Sequence, residues 1–134
     1  MKTLLVLEYD PPVMKLLGRM LKDYRVVSAT TPEEALMSFI DLNHRVDLLL
    51  ADLTLPTMSG IQVALLLRKK LPAVPVILTS GNPSSSWSRR DSADLQRLGS
   101  KSVVILQKPL ETQVLLKAVS ELLGTSSAGL TTTA

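Results

Sequence analysis

The sequence predicts an α/β domain built on a parallel sheet, and three observations carry that prediction. Short apolar runs alternate with stretches of helical periodicity along the chain. The run Leu48-Leu49-Leu50-Ala51 has no polar alternation, as a central strand covered on both faces requires. Helix-start residues follow the apolar runs closely, at Asp10-Pro11-Pro12, Thr31-Pro32-Glu33-Glu34 and Gly60.

Leu4 to Leu7 reads as the first strand. Val13, Leu16, Leu17, Met20 and Leu21 then recur on one helix face, with Asp10 as N-cap and prolines in the first turn. Arg25 to Ala29 is a second strand. Thr31 and Glu34 have the spacing of a capping box and open a helix expected to bury Leu36, Phe39 and Ile40. Asp47 to Ala51 is the third strand. Gly60 opens a third helix with Ile61, Ala64, Leu65 and Leu67 inward. Pro75 to Ser80 is the fourth strand, and Gly81 to Trp87 a serine-rich loop. A fourth helix, Ser88 to Leu98, has the weakest apolar face and stops at Gly99. Val103 to Leu106 is the fifth strand, and Leu115, Ala118, Val119 and Leu122 mark the last helix. Five βα repeats with right-handed crossovers fit a three-layer, flavodoxin-like (βα)5 sheet of strand order 2-1-3-4-5.

The chain of 134 residues is long enough for one domain with a real core. Residues 1–123 are expected to form that domain. The small, polar segment 124–134 reads as a flexible tail or linker. No apolar run reaches the length of a membrane span, and Glu8, Tyr9 and Asp10 end the N-terminal run too early for a signal peptide. With no cysteine, neither a disulfide scaffold nor a thiolate metal site is available, which suits a cytoplasmic location. The net charge of +3 comes with basic clusters at Lys15, Arg19 and Lys22 on one helix, Arg68-Lys69-Lys70 ending another, and Arg89-Arg90 in a loop. These read as solvated faces and helix-end charge. With 3% aromatic residues there is no stacking platform for single-stranded nucleic acid, so no direct nucleic-acid contact is expected.

In the 2-1-3-4-5 order, strands 1, 3, 4 and 5 lie side by side and their C-terminal ends converge, where open α/β sheets keep their ligand sites. The residues there are Glu8, Tyr9 and Asp10, then Asp52, Ser80 and Lys108. An acid, a hydroxyl and an amine around one crevice form a phosphoryl-handling set. The carboxylate is the nucleophile, the amine and hydroxyl bind phosphoryl oxygens, and a hard cation neutralises charge. His44, the single histidine, reads as an exposed loop residue. There is no glycine-rich phosphate loop, which argues against nucleotide binding.

Over residues 3–123 the chain resembles a response-regulator receiver domain of two-component signalling, of the chemotaxis-regulator kind. The resemblance rests on four segments in order. These are Glu34-Ala35-Leu36, Asp52 with Pro56, Met58 and Gly60, Pro75 to Gly81, and Lys108-Pro109-Leu110. It implies that Asp52 accepts a phosphoryl group from a histidine kinase or phosphotransfer protein. Lys108 and Ser80 would grip the acyl phosphate, with Thr79 as the competing register for the hydroxyl. Gly81 would leave room for the donor. Mg²⁺ would bind through Glu8, Asp52 and the backbone carbonyl of Thr54, and the Lys108–Pro109 bond would be cis. Output would run through contact with a downstream protein. Such a domain is not an enzyme beyond its own phosphorylation and dephosphorylation, and is a monomer or weak homodimer.

Three features depart from the family pattern. Tyr9 stands where the family places its directly metal-ligating acid, and a neutral phenol is a poor Mg²⁺ ligand. Asp10 has two readings, a substitute pocket acid or a helix N-cap. Ile105 stands where the family carries a switching aromatic. The Ser84-Ser85-Ser86-Trp87-Ser88 stretch lengthens the segment before Lys108, with Trp87 either an exposed partner anchor or folded back on the domain. These departures leave three functions to compare. They are a phosphorylatable receiver with weakened Mg²⁺ binding, a pseudo-receiver working without phosphorylation, and an unrelated α/β enzyme.

Overall fold

The structure is a computed structural model that describes residues 1–124. Its elements are β1 (Thr3–Leu7), α1 (Pro11–Met20), β2 (Arg25–Ala29), α2 (Pro32–Asp41), β3 (Leu48–Asp52), α3 (Gly60–Lys70), β4 (Val76–Ser80), α4 (Arg89–Leu98), β5 (Val103–Gln107) and α5 (Thr112–Gly124). The strands are all parallel, in the order β2-β1-β3-β4-β5, as the crossover argument predicts. Most of the tail expected at 124–134 lies outside the described residues; Gly124 itself is the last residue of α5.

Strand alternation divides the interior in two. Leu5, Leu7, Leu49, Ala51, Val76 and Leu78 face α2 and α3, packing on Ala35, Phe39, Ile61 and Leu67. Leu4, Val6, Leu48, Leu50 and Ile77 face α1 and α5, packing on Leu17, Leu115 and Val119. β1, β3 and β4 are buried at every position, which explains why their sequences lack alternation.

Four local readings change. Ile40 is 61% exposed, because Pro32, Ala35 and Phe39 form the buried stripe of α2 and Ile40 lies about 100° round the helix from Phe39. His44 is half-buried rather than exposed. Asn43 and His44 take left-handed φ values of 54° and 61°, and the turn stacks the His44 ring on Phe39 with centroids 4.5 Å apart. Thr31 does cap α2 by accepting from the Glu34 N–H, but the Glu34 carboxylate accepts from the Thr30 N–H instead of closing the box on Thr31. Arg89 and Arg90 open α4, inside the helix expected from Ser88 and not in the loop before it, and Lys22 falls beyond the end of α1.

Arg68 ties the far end of α3 to the rest. Its guanidinium donates to the carbonyls of Val74, Leu98, Lys101 and Ser102. Burial lowers its pKa from the ordinary guanidinium value. The basic cluster at 68–70 is therefore not only a solvated helix end.

Candidate functional site

Each site residue is fixed by a main-chain bond that extends the sheet one step past its strand. The Glu8 N–H donates to the Ala29 carbonyl at 3.0 Å, the Leu53 N–H to Thr79 at 2.8 Å, and the Lys108 N–H to Ser80 at 2.8 Å. Side chains at the ends of β1, β3 and β5 thus arrive at one place by continuation of the ladder. The Lys108–Pro109 bond is cis, as the resemblance implies.

The β3–α3 loop is held against this edge by Gly60. Its N–H donates to the Leu53 carbonyl, and a Cβ at position 60 would run into the Asp52 carbonyl oxygen. Glycine is required here by close approach of two backbones. Ser59 caps α3 by accepting from the Gln62 N–H at 3.2 Å.

Lys108 joins the two acids. Its Nζ lies 3.0 Å from Glu8 Oε1 and 3.0 Å from Asp52 Oδ2. Glu8 is 2% exposed, and its other oxygen accepts from the Asp10 N–H at 3.1 Å. Asp52 is also buried, with Oδ1 3.4 Å from the Thr54 N–H. Burial disfavours the Glu8 charge and raises its pKa. The Asp10 N–H and Lys108 pull against that shift, and the Asp52 charge adds to it. Burial also works against the Lys108 ammonium, but the hydrogen bonds and charges of Glu8 and Asp52 outweigh it and raise its pKa. The lysine is therefore a firmly held cation between two acids.

The structure brings Glu8, Asp52 and Lys108 together and leaves two neighbours outside. Tyr9 points into solvent, 58% exposed. Asp10 occupies the N-cap position of α1, but its side chain is exposed and makes no capping bond. Pro11 and Pro12 supply no N–H at the first helical positions, which removes a donor such a cap uses. Among the described residues no three His, Cys, Asp or Glu side chains gather to hold a metal ion. Glu8 and Asp52 are nevertheless two hard carboxylates around one cation position. That is a sufficient donor chemistry for Mg²⁺, which is commonly held by one or two carboxylates and several waters.

The hydroxyl side of the edge is arranged differently. Thr79 is level with Asp52 in the β3–β4 register, and Ser80 lies one step further, level with Gln107. Ser80 is buried, yet its Oγ is turned toward its own loop. It donates to the Asn82 carbonyl at 2.8 Å and accepts from the Asn82 N–H at 3.1 Å. Trp87 Nε1 donates to the same carbonyl at 3.2 Å, and the half-buried ring packs against the α2–α3 side of the core. Trp87 thus folds back on the domain and is not an exposed anchor. Asn82 was not singled out by the sequence reading, although Asn82-Pro83 after Gly81 is a turn signal that marks it.

Comparison with known proteins agrees with this fold. Residues 4–120 match the model of the response regulator receiver domain family. The chain is 31% identical over 126 residues to the transcriptional regulatory protein GlrR of Escherichia coli strain K12, covering 92% of this chain and 27% of that protein. It thus spans about a quarter of the length of the curated relatives it matches. A CheY-like receiver domain protein from Methanospirillum hungatei JF-1 superposes with a TM-score of 0.80 at 24% identity, over 96% of this chain and 98% of that one. The chemotaxis protein CheY4 of Vibrio cholerae superposes with a TM-score of 0.76 at 21% identity, over 91% of this chain and 98% of that one. From the five-stranded parallel sheet, the acid–lysine edge and the family match along most of its length, the chain belongs to the response regulator receiver domain family of two-component systems.

Proposed function

We propose that this receiver, spanning residues 1–123, accepts a phosphoryl group on Asp52 and passes the signal by protein contact. Receivers of this family are signalling modules rather than enzymes. They interact with histidine kinases or phosphotransfer proteins, and typically bind Mg²⁺ at the acidic pocket. The observation that carries the reading is the bridge from Lys108 Nζ to Asp52 Oδ2 and Glu8 Oε1, both at 3.0 Å. A strand-end carboxylate so held is shielded from its neighbouring acid and aimed at the loop edge.

In the proposed reaction an Asp52 oxygen attacks the phosphorus of a phosphohistidine or small acyl phosphate. The new O–P bond forms as the bond to the donor breaks, and the donor leaves with that bond's electron pair. Lys108 moves from Asp52 Oδ2 to a phosphoryl oxygen and offsets the charge that arrives. Ser80 supplies a hydroxyl donor, and Gly81 leaves the approach open. Glu8, Asp52 and the Thr54 carbonyl are the ligands proposed for Mg²⁺, which when bound supplies positive charge beside the transferring group. Asp10 acts through its N–H on Glu8 rather than through its exposed carboxylate.

Beryllofluoride, which mimics the acyl phosphate, tests the proposal. Titration in a Mg²⁺ series, followed by ¹⁹F NMR, is expected to show a Mg²⁺-dependent complex with a high Mg²⁺ requirement. It should be abolished by Asp52→Asn and weakened more by Ser80→Ala than by Thr79→Val. No complex at any Mg²⁺ concentration would support the pseudo-receiver reading, which the exposed position of Tyr9 favours.

A further inference from the structure

The position that usually carries a switching aromatic holds Ile105, which is 40% exposed and can make no polar contact. Trp87, the single tryptophan, is instead tied to the hydroxyl side of the site through one atom. That atom is the Asn82 carbonyl oxygen, which accepts from both Ser80 Oγ and Trp87 Nε1. A serine hydroxyl has one proton to donate. While Ser80 gives it to Asn82, it has none to give to a group on Asp52.

We infer that the Asn82 carbonyl is a latch that holds Ser80 away from the Asp52 site and couples its release to Trp87. This inference rests on the phosphorylation reading above. The latch is short and local. Ser80 and Asn82 exchange two hydrogen bonds across two residues, and Trp87 lies five residues beyond. When Ser80 turns to a phosphoryl oxygen, the Asn82 carbonyl keeps the indole N–H as its donor and is not left bare. Trp87 therefore lowers the cost of releasing Ser80, because two donors that share one carbonyl oxygen weaken each other's hold on it. By reciprocity, whatever draws Ser80 away tightens the carbonyl's hold on Trp87. The ring packs against the core cluster on the α2–α3 side of the sheet, so the adjustment is felt there. This chain would thus read its site through the turn at 82–87 rather than through residue 105.

The test is a double-mutant cycle on beryllofluoride affinity in the full chain, using Ser80→Ala, Trp87→Phe and the double variant. Phenylalanine keeps an aromatic ring for packing and removes the N–H donor together with part of the ring area, a packing loss that is the same in both backgrounds and cancels in the cycle. In the wild-type background Trp87→Phe is expected to weaken beryllofluoride binding by roughly two- to tenfold, the scale of one hydrogen-bond donor. In the Ser80→Ala background, where there is no hydroxyl to release, the same change is expected to have a clearly smaller effect. In the wild type, beryllofluoride is expected to shift the emission of Trp87, and in Ser80→Ala saturated with beryllofluoride that shift is lost. An equal effect of Trp87→Phe in both backgrounds, or a saturated wild type with unchanged Trp87 emission, overturns the latch and leaves the phosphorylation reading standing. A wild type that binds no beryllofluoride overturns the phosphorylation reading, and the latch falls with it.

Discussion

The two sides of the candidate site are built by opposite means. On the acid side, Glu8, Asp52 and Lys108 are set by extensions of the sheet and by the Gly60 contact, and one ammonium bridges both carboxylates. On the hydroxyl side, Ser80 engages its own turn through Asn82, and Ile105 is a passive side chain. The backbone of the first side is fixed by long-range hydrogen bonds of the sheet and by the Gly60 contact. The second is held by bonds spanning a few residues, which a competing acceptor can replace. A receiver needs both, a fixed place for chemistry and a movable group to report it.

The largest effect comes from breaking the fixed side at its backbone. Gly60→Ala is expected to destabilise the fold by about 1–3 kcal/mol, because the added Cβ meets the Asp52 carbonyl rather than a yielding side chain. Chemical denaturation measures it, and an unchanged midpoint would show that the loop has room to give. Lys108→Met is expected to cost about 1–3 kcal/mol at neutral pH, since it leaves two buried carboxylates facing each other without a counter-charge. That loss should shrink on acidification as Glu8, whose pKa burial raises, takes up its proton. The raised pKa of Lys108 means its pairing is present at neutral pH and is lost only as pH climbs past the ordinary lysine value of 10.5.

Glu8→Gln sharpens the contrast with a smaller effect of opposite sign. Because burial raises the Glu8 pKa, the folded state holds that proton more tightly than the unfolded chain. Stability from this group is therefore fullest below 4.5 and declines as pH rises through the folded-state value. The amide carries no charge to bury, so the variant is expected to melt slightly higher than the wild type at pH 7. The two should converge in acid. A variant that melts lower at pH 7 would mean that the Lys108 bridge outweighs burial. The smallest structural change is Tyr9→Asp, at a position already exposed. It is expected to leave the fold intact and to tighten Mg²⁺ binding severalfold by supplying a third acid. Unchanged affinity would show that position 9 does not address the pocket.

The difference between the two sides also explains what the sequence made legible. Strand ends were readable because apolar runs stop at Glu8, Asp52, Thr79 and Gln107, within one residue of each site side chain, and parallel winding brings those ends together. The β2-β1-β3-β4-β5 order followed from the same reasoning. The Asn82 carbonyl was not readable, because a main-chain acceptor has no residue type and any sequence offers one at every position. Helix faces were read less well where apolar residues outnumber the stripe. Phe39 takes the core position on α2 and leaves Ile40 outside. Asp94 is a related case. It is buried on the weakly apolar α4, with Arg97 Nη1 3.4 Å away, where residue type alone argues for the surface. Asp10 sits at the right place for a cap, but the prolines that mark the helix start also remove a donor the cap uses.

The most direct test of the central claim is intact-mass analysis after incubation with a small acyl phosphate and Mg²⁺, run on the wild type and Asp52→Asn side by side. The wild type is expected to gain the mass of one phosphoryl group and Asp52→Asn to gain none. A wild type that gains nothing, or an Asp52→Asn variant that gains as much, would contradict the assignment of Asp52 as the acceptor.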